Sequence, residues 1–237
     1  MKKKICPVFA SIIAVLFVMC HGAPAQSAFG GTQQQVINPA AYNHPIRVAC
    51  LGDSITMGVG TLVPAKESYP AQLQVILGPK WEVINFGVGG RTLLRKADAF
   101  SIGRGLASKP DVVVILLGTN DSRQVTWDKF GADFTGDYSS IIDQLARLDT
   151  HPKIWICIPP PMFPGRWNLS EDVLTGKTIP AIQEVAREKN VPLIDLHTPL
   201  LDQKANFGDT VHPNAKVARR IAELVAAALT GSPQPAK

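Results

Sequence analysis

Four residue types that together perform acyl transfer are spread along this chain at Ser54, Asn120, Asp209 and His212. That chemistry asks for a nucleophile, a base that takes its proton, a group that fixes the base's tautomer, and donors for the oxyanion. Ser54 lies in Gly52-Asp-Ser-Ile-Thr56, directly after the apolar run 46–51. A β-branched run ending at glycine puts the following hydroxyl on the turn at a strand's carboxyl end, where open α/β sheets bind ligands. His212, followed by Pro213 and the start of a helical pattern, is the candidate base. Asp209 precedes it by three residues, a spacing that on a tight turn lets its carboxylate reach the far ring nitrogen. Backbone N–H groups of Ser54 and Gly90 and the Asn120 amide are candidate oxyanion donors, glycine permitting close approach at position 90.

These residues need elements that bring them to one edge. Apolar runs predict strands at 46–51, 82–86, 111–117, 153–158 and 191–196, and helical patterns predict helices near 68–77, 100–108, 128–148, 171–189 and 213–229. The third run is apolar on both faces, which implies a parallel sheet covered by helices on each side. With right-handed crossovers, the expected architecture is a three-layer α/β/α domain with a flavodoxin-like five-stranded parallel sheet of order 2-1-3-4-5. In that order Ser54, the segment 85–92 and Gly118-Thr-Asn-Asp121 follow adjacent strands, and Asp209/His212 follow the fifth. Strand 3 then separates Cys50 from Cys157, so both are expected as buried free thiols.

Lys2, Lys3 and Lys4, the apolar stretch 5–20 and Ala23-Pro24-Ala25 read as a secretory signal over 1–25. The stretch falls short of the roughly 20 residues of a spanning helix, so no stable membrane anchor is expected. Export, to a periplasm or outside the cell, is the expected localisation. Losing those lysines leaves 21 of 24 basic residues against 19 acidic ones. With no basic stripe and interleaved aromatics, no nucleic-acid partner is expected. Residues 26–45 read as a flexible arm, 46–230 as one domain and 231–237 as a flexible tail.

The blocks 52–56, 85–92, 118–121 and 209–213 resemble, in this order, those of the GDSL or SGNH hydrolase superfamily. The resemblance covers nearly the whole domain. It implies the SGNH hydrolase fold, Ser54 as nucleophile, and Gly90 and Asn120 as oxyanion donors. Two departures stand out: Ile55 replaces the leucine of the GDSL name, and Gly89 stands where many members carry serine. The wording around the blocks, such as Ser68-Tyr-Pro-Ala-Gln-Leu73, looks most like carbohydrate O-acetylesterases, including sialate-type ones. The resemblance therefore implies an exported serine esterase acting on an acetylated sugar or polysaccharide, without metal or cofactor. A lysophospholipase or acyl-thioesterase is the alternative within the superfamily, and a non-catalytic carbohydrate-binding module is the alternative outside enzymes.

Other polar residues have plainer readings. His44, His151 and His197 fall in no metal-binding spacing. Asp53 and Asp121 are expected to tie loops through backbone N–H groups. Arg91, Arg123 and Trp167 are candidate substrate contacts, Trp167 ending a proline-rich loop, 159–167, that leaves strand 4 on the same edge.

Overall fold

Short β-branched runs favour strands because branched side chains pack well on a pleated surface. Five such runs form the sheet: β1 (Ile46–Gly52), β2 (Trp81–Gly87), β3 (Val112–Leu116), β4 (Lys153–Ile158) and β5 (Leu193–Asp195). The computed structural model describes residues 35–96, 105, 107–164 and 167–233. All strand pairs are parallel, in the order β2-β1-β3-β4-β5 anticipated from the pattern. Every residue of central β3 is buried, each Val, Ile or Leu side chain there gaining about 1.5–3 kcal/mol over exposure.

Alternation of side chains sends each strand's residues to two cores. On one face Val48, Cys50, Val114 and Trp155 meet α2 (Tyr69–Leu77) and α5 (Ala215–Thr230), whose stripe is Val217, Ile221, Leu224 and Val225. On the other, Ala49, Leu51, Val113, Ile115 and Ile156 meet α3 (Phe134–Ala146) and α4 (Ile179–Lys189). Cys50 and Cys157 are fully buried on β1 and β4, with β3 between them, and burial pushes both thiols up.

Several boundaries depart from the sequence pattern. The helix expected over 128–148 is interrupted: Gln124–Phe130 ends at Gly131, a 3-10 turn spans Gly131–Asp133, and α3 begins at Phe134. A Cβ at Gly131 would lie 2.7 Å from the Trp127 ring, so the indole folds over the break. The helix expected over 171–189 is present but widens to a π-turn at Leu174–Thr178, just before Pro180, which has no N–H to give the preceding turn. The expected helix near 100–108 and the segment 1–25 lie largely or wholly outside the described residues.

Residues 35–45, the end of the segment expected as a flexible arm, dock on the domain. Ile37 is buried and its N–H donates to the Leu229 carbonyl at 2.9 Å, while His44 Nε2 contacts Asp111 at 3.1 Å. Isolated apolar residues carry no periodicity, so this docking leaves no signal in the sequence.

Candidate active site

The nucleophile candidate sits on a very short helix, α1 (Ser54–Met57), wedged against the ends of β1 and β2. Asp53 caps it, its Oδ1 accepting from the Ile55 N–H at 2.9 Å, and Gly58 at φ 99° ends it. The wedge is tight. A Cβ on Gly87 would stand 2.1 Å from the Met57 backbone nitrogen, and one on Gly52 would stand 2.7 Å from the Leu116 carbonyl oxygen. Asn85 fastens the same helix, its Nδ2 donating to the Thr56 carbonyl at 2.7 Å.

Asp209, Thr210, Val211 and His212 form a turn closed by a side chain. Asp209 Oδ1 accepts from the backbone N–H groups of Val211 at 3.1 Å and His212 at 2.8 Å. Its other oxygen, Oδ2, lies 2.6 Å from His212 Nδ1, and His212 Nε2 lies 2.7 Å from Ser54 Oγ. A carboxylate on Nδ1 makes that nitrogen the donor and leaves Nε2 as an acceptor for the serine proton. Burial opposes ionisation of Asp209. The hydrogen bonds from the His212 ring and from the backbone N–H groups of His212 and Val211 outweigh it and hold the carboxyl below its ordinary value. Ser54 and His212 are nearly enclosed, 8% and 9% exposed.

The turn after β2 runs from Val88 to Arg91, with the Arg91 N–H donating to the Val88 carbonyl at 3.3 Å. Gly90 holds φ 75° there, a conformation glycine adopts without penalty. Asn120 reaches across to this turn, its Nδ2 donating to the Arg91 carbonyl at 3.0 Å. Asp121, fully buried, accepts from the N–H groups of Leu93 and Leu94 at 2.9–3.0 Å and so ties the two loops. Burial raises its carboxyl to about 6, against the pull of those N–H groups and of the Arg123 charge. Burial likewise raises Asp53 to about 7, opposed by the Ile55 N–H.

Of the candidate substrate contacts, Arg123 turns onto the protein. Its Nη2 and Nη1 donate to Asn120 Oδ1 and to the Asn120 carbonyl at 3.2 and 3.3 Å. Arg91 is half-buried beside the Gly90 turn. Trp167, 55% exposed, stands 6.3 Å from the His212 ring between centroids.

Sequence reasoning missed the support behind the histidine turn. Phe163 donates its N–H to the Thr210 carbonyl at 2.8 Å, and Met162 donates to Glu171 Oε2 at 2.8 Å. Glu171 Oε1 in turn pairs with His197 Nε2 at 2.7 Å. His197 thus braces the loop after β4. Only its place just past the fifth strand hinted at the site. Among the described residues no group of three or more His, Cys, Asp or Glu could hold a metal ion.

A three-layer α/β/α architecture around a parallel sheet of this order is the SGNH hydrolase fold. The chain belongs to the GDSL-like lipase/acylhydrolase family, whose sequence model matches residues 50–220. An acetylxylan esterase from Xylanibacter ruminicola is 42% identical over 214 residues, 81% of this chain and 44% of that protein, so the chain spans less than half of this curated relative's length. A lipase/acylhydrolase from Enterococcus faecalis shares the fold at a TM-score of 0.64 and 23% identity, covering 81% of this chain and 99% of that one. The crystal structure of an acetyl xylan esterase aligns at a TM-score of 0.57 and 25% identity, over 77% of this chain and 99% of the other.

Proposed function

We propose that this protein is an exported serine esterase that removes O-acetyl groups from a carbohydrate through an acyl-serine intermediate. The observation that carries the reading is the unbroken line from Asp209 Oδ2 through the His212 ring to Ser54 Oγ, at 2.6 and 2.7 Å. Ser54 Oγ attacks the acetyl carbonyl carbon as its proton passes to His212 Nε2. The carbonyl oxygen takes up negative charge, which the N–H groups of Ser54 and Gly90 and the Asn120 amide stabilise. Ser54 is the first residue of its helix, so its N–H has no intrahelical partner. The tetrahedral centre collapses, the ester C–O bond breaks, and His212 gives its proton to the leaving sugar hydroxyl. Water then attacks the acetyl-serine with His212 as base, releasing acetate and restoring Ser54.

The carbohydrate half of the reading is supported by the xylan-active names of the relatives and by the exposed indole of Trp167, a face on which a sugar ring stacks. Export is supported by the basic, apolar and small-residue pattern of residues 1–25.

Acetate release measured across acetylated xylan, pectin, sialic acid and simple sugars, with Ser54→Ala as control, tests the proposal. Ser54→Ala and His212→Ala are each expected to lower kcat by about 10⁶. Full activity in Ser54→Ala overturns the mechanism. A clear preference for octanoyl over acetyl p-nitrophenyl esters overturns the substrate class in favour of a lipid or thioester hydrolase.

A further inference from the structure

We propose that Arg123 is a positioning residue that fixes the orientation of the Asn120 amide toward the oxyanion and locks it to the loop carrying Trp167. The inference rests on the oxyanion role given to Asn120 above. An asparagine amide presents an acceptor and two donor hydrogens that occupy almost the same shape, so its neighbours alone decide which end points where. Arg123 can only donate and stands 3.2 Å from one end, which must therefore be Oδ1. The Arg91 carbonyl can only accept and stands 3.0 Å from the other, which must be Nδ2. A donor on one side and an acceptor on the other admit one orientation. One Nδ2 hydrogen is then given to Arg91, and the second is the one assigned to the oxyanion.

The guanidinium does more than face the amide. Its Nη1 also donates to Asn120's own carbonyl at 3.3 Å, so a single rigid fork holds both the backbone and the side chain of that residue. Its Nε donates to the Trp167 carbonyl at 3.4 Å. Beside it the chain forms an antiparallel bridge between Arg123 and Leu169, and Ser170 donates its N–H to the Ser122 carbonyl at 3.1 Å. Arg123 is thus where the third oxyanion donor and the backbone at Trp167 are held by one side chain. A lysine, with a point charge on a flexible stem, cannot span these three acceptors with fixed geometry.

The test is steady-state hydrolysis of p-nitrophenyl acetate by Arg123→Gln and Arg123→Lys, alone and combined with Asn120→Ala. Thermal unfolding establishes that each variant is folded, and the lysine variant, which keeps charge and stem, serves if the glutamine variant is not. Asn120→Ala is expected to lower kcat by roughly 10² to 10³. Arg123→Gln is expected to lower it by about 10- to 100-fold with KM within about twofold, because a misplaced donor costs rate and not ground-state binding. In the Asn120→Ala background the same substitution is expected to cost nothing further. A change confined to KM, or a loss that adds in full to that of Asn120→Ala, overturns the proposal alone. An Asn120→Ala variant at full rate overturns the oxyanion reading and this proposal with it.

Discussion

Trp167 stands edge-on to His212, their rings 6.3 Å apart between centroids and 78° apart in plane, and the residue is 55% exposed. On the proposed mechanism, an aromatic side chain beside the ring assigned as base would meet the part of the substrate that leaves. Its removal is expected to depend on substrate size. Trp167→Ala should lower kcat/KM on acetylated xylan about fivefold or more, one sugar–aromatic contact contributing about 1–3 kcal/mol by analogy with base stacking. Hydrolysis of p-nitrophenyl acetate should stay within about threefold. Parallel assays on the two esters check this, and an equal loss on both would show that Trp167 acts through His212 and not through the sugar.

Asp209 makes a prediction about pH. Its carboxyl is held below its ordinary value by the hydrogen bonds from His212 and Val211, which outweigh burial. A group whose folded value lies below its unfolded one stabilises the fold above the unfolded value, near 3.9, and this contribution is lost as pH falls through the folded value. Asp209→Asn should therefore be less stable than the parent at pH 7, by a margin that shrinks as pH falls below about 4. In kcat it should lose about 10³- to 10⁴-fold, because an amide no longer specifies the tautomer. Unfolding curves at pH 7 and at a series of lower pH values, with a rate at pH 7, measure both.

The opposite sign applies to Asp53. Burial raises its carboxyl to about 7, so the folded state keeps a proton that the unfolded chain releases near 3.9. Stability from this residue is present at acid pH and declines as pH rises from about 4 to about 7. Asp53→Asn retains the oxygen that caps Ile55 and removes the charge. The variant should melt higher than the parent at pH 8 and close to it at pH 4. A lower melting temperature at pH 8 would show that the ionised carboxylate is the stabilising form.

Two neighbouring glycines separate a packing requirement from a permissive site. A Cβ on Gly87 meets the Met57 backbone at 2.1 Å, whereas one on Gly89 finds only the Met57 sulfur at 4.0 Å. Gly87→Ala should displace α1 and Ser54 with it, at a cost of about 3 kcal/mol or more in stability and with loss of esterase activity. Gly89→Ser should leave both nearly unchanged. Melting temperature and p-nitrophenyl acetate turnover distinguish the two.

How much of this was legible before folding follows from what each signal depends on. Central strand β3 announces itself because a strand buried on both faces must be apolar throughout, as 112–116 is. Right-handed crossovers then leave few sheet orders, of which the flavodoxin-like one is the commonest for five strands. Ser54, Asn120, Asp209 and His212 are also legible, since each falls in a short block just past an apolar run. The break at Gly131 and the π-turn before Pro180 are not, because amphipathic spacing continues across both.

The sequence by itself determined the elements, their order and the residue types gathered at one edge, because hydrophobic periodicity and turn chemistry are local properties of the chain. Only the tertiary structure decided what each polar side chain faces. Arg123 follows its block directly and reads as a residue aimed at substrate, yet its guanidinium closes on Asn120 and Trp167. His197 lies near the edge, and its Nε2 braces Glu171 while the Ser54 hydroxyl pairs with His212. A hydrogen bond is made or lost over a few tenths of an ångström. Which partner lies within that reach is set by where distant segments pack, as Ser54 and His212, 158 residues apart, come to lie 2.7 Å from each other.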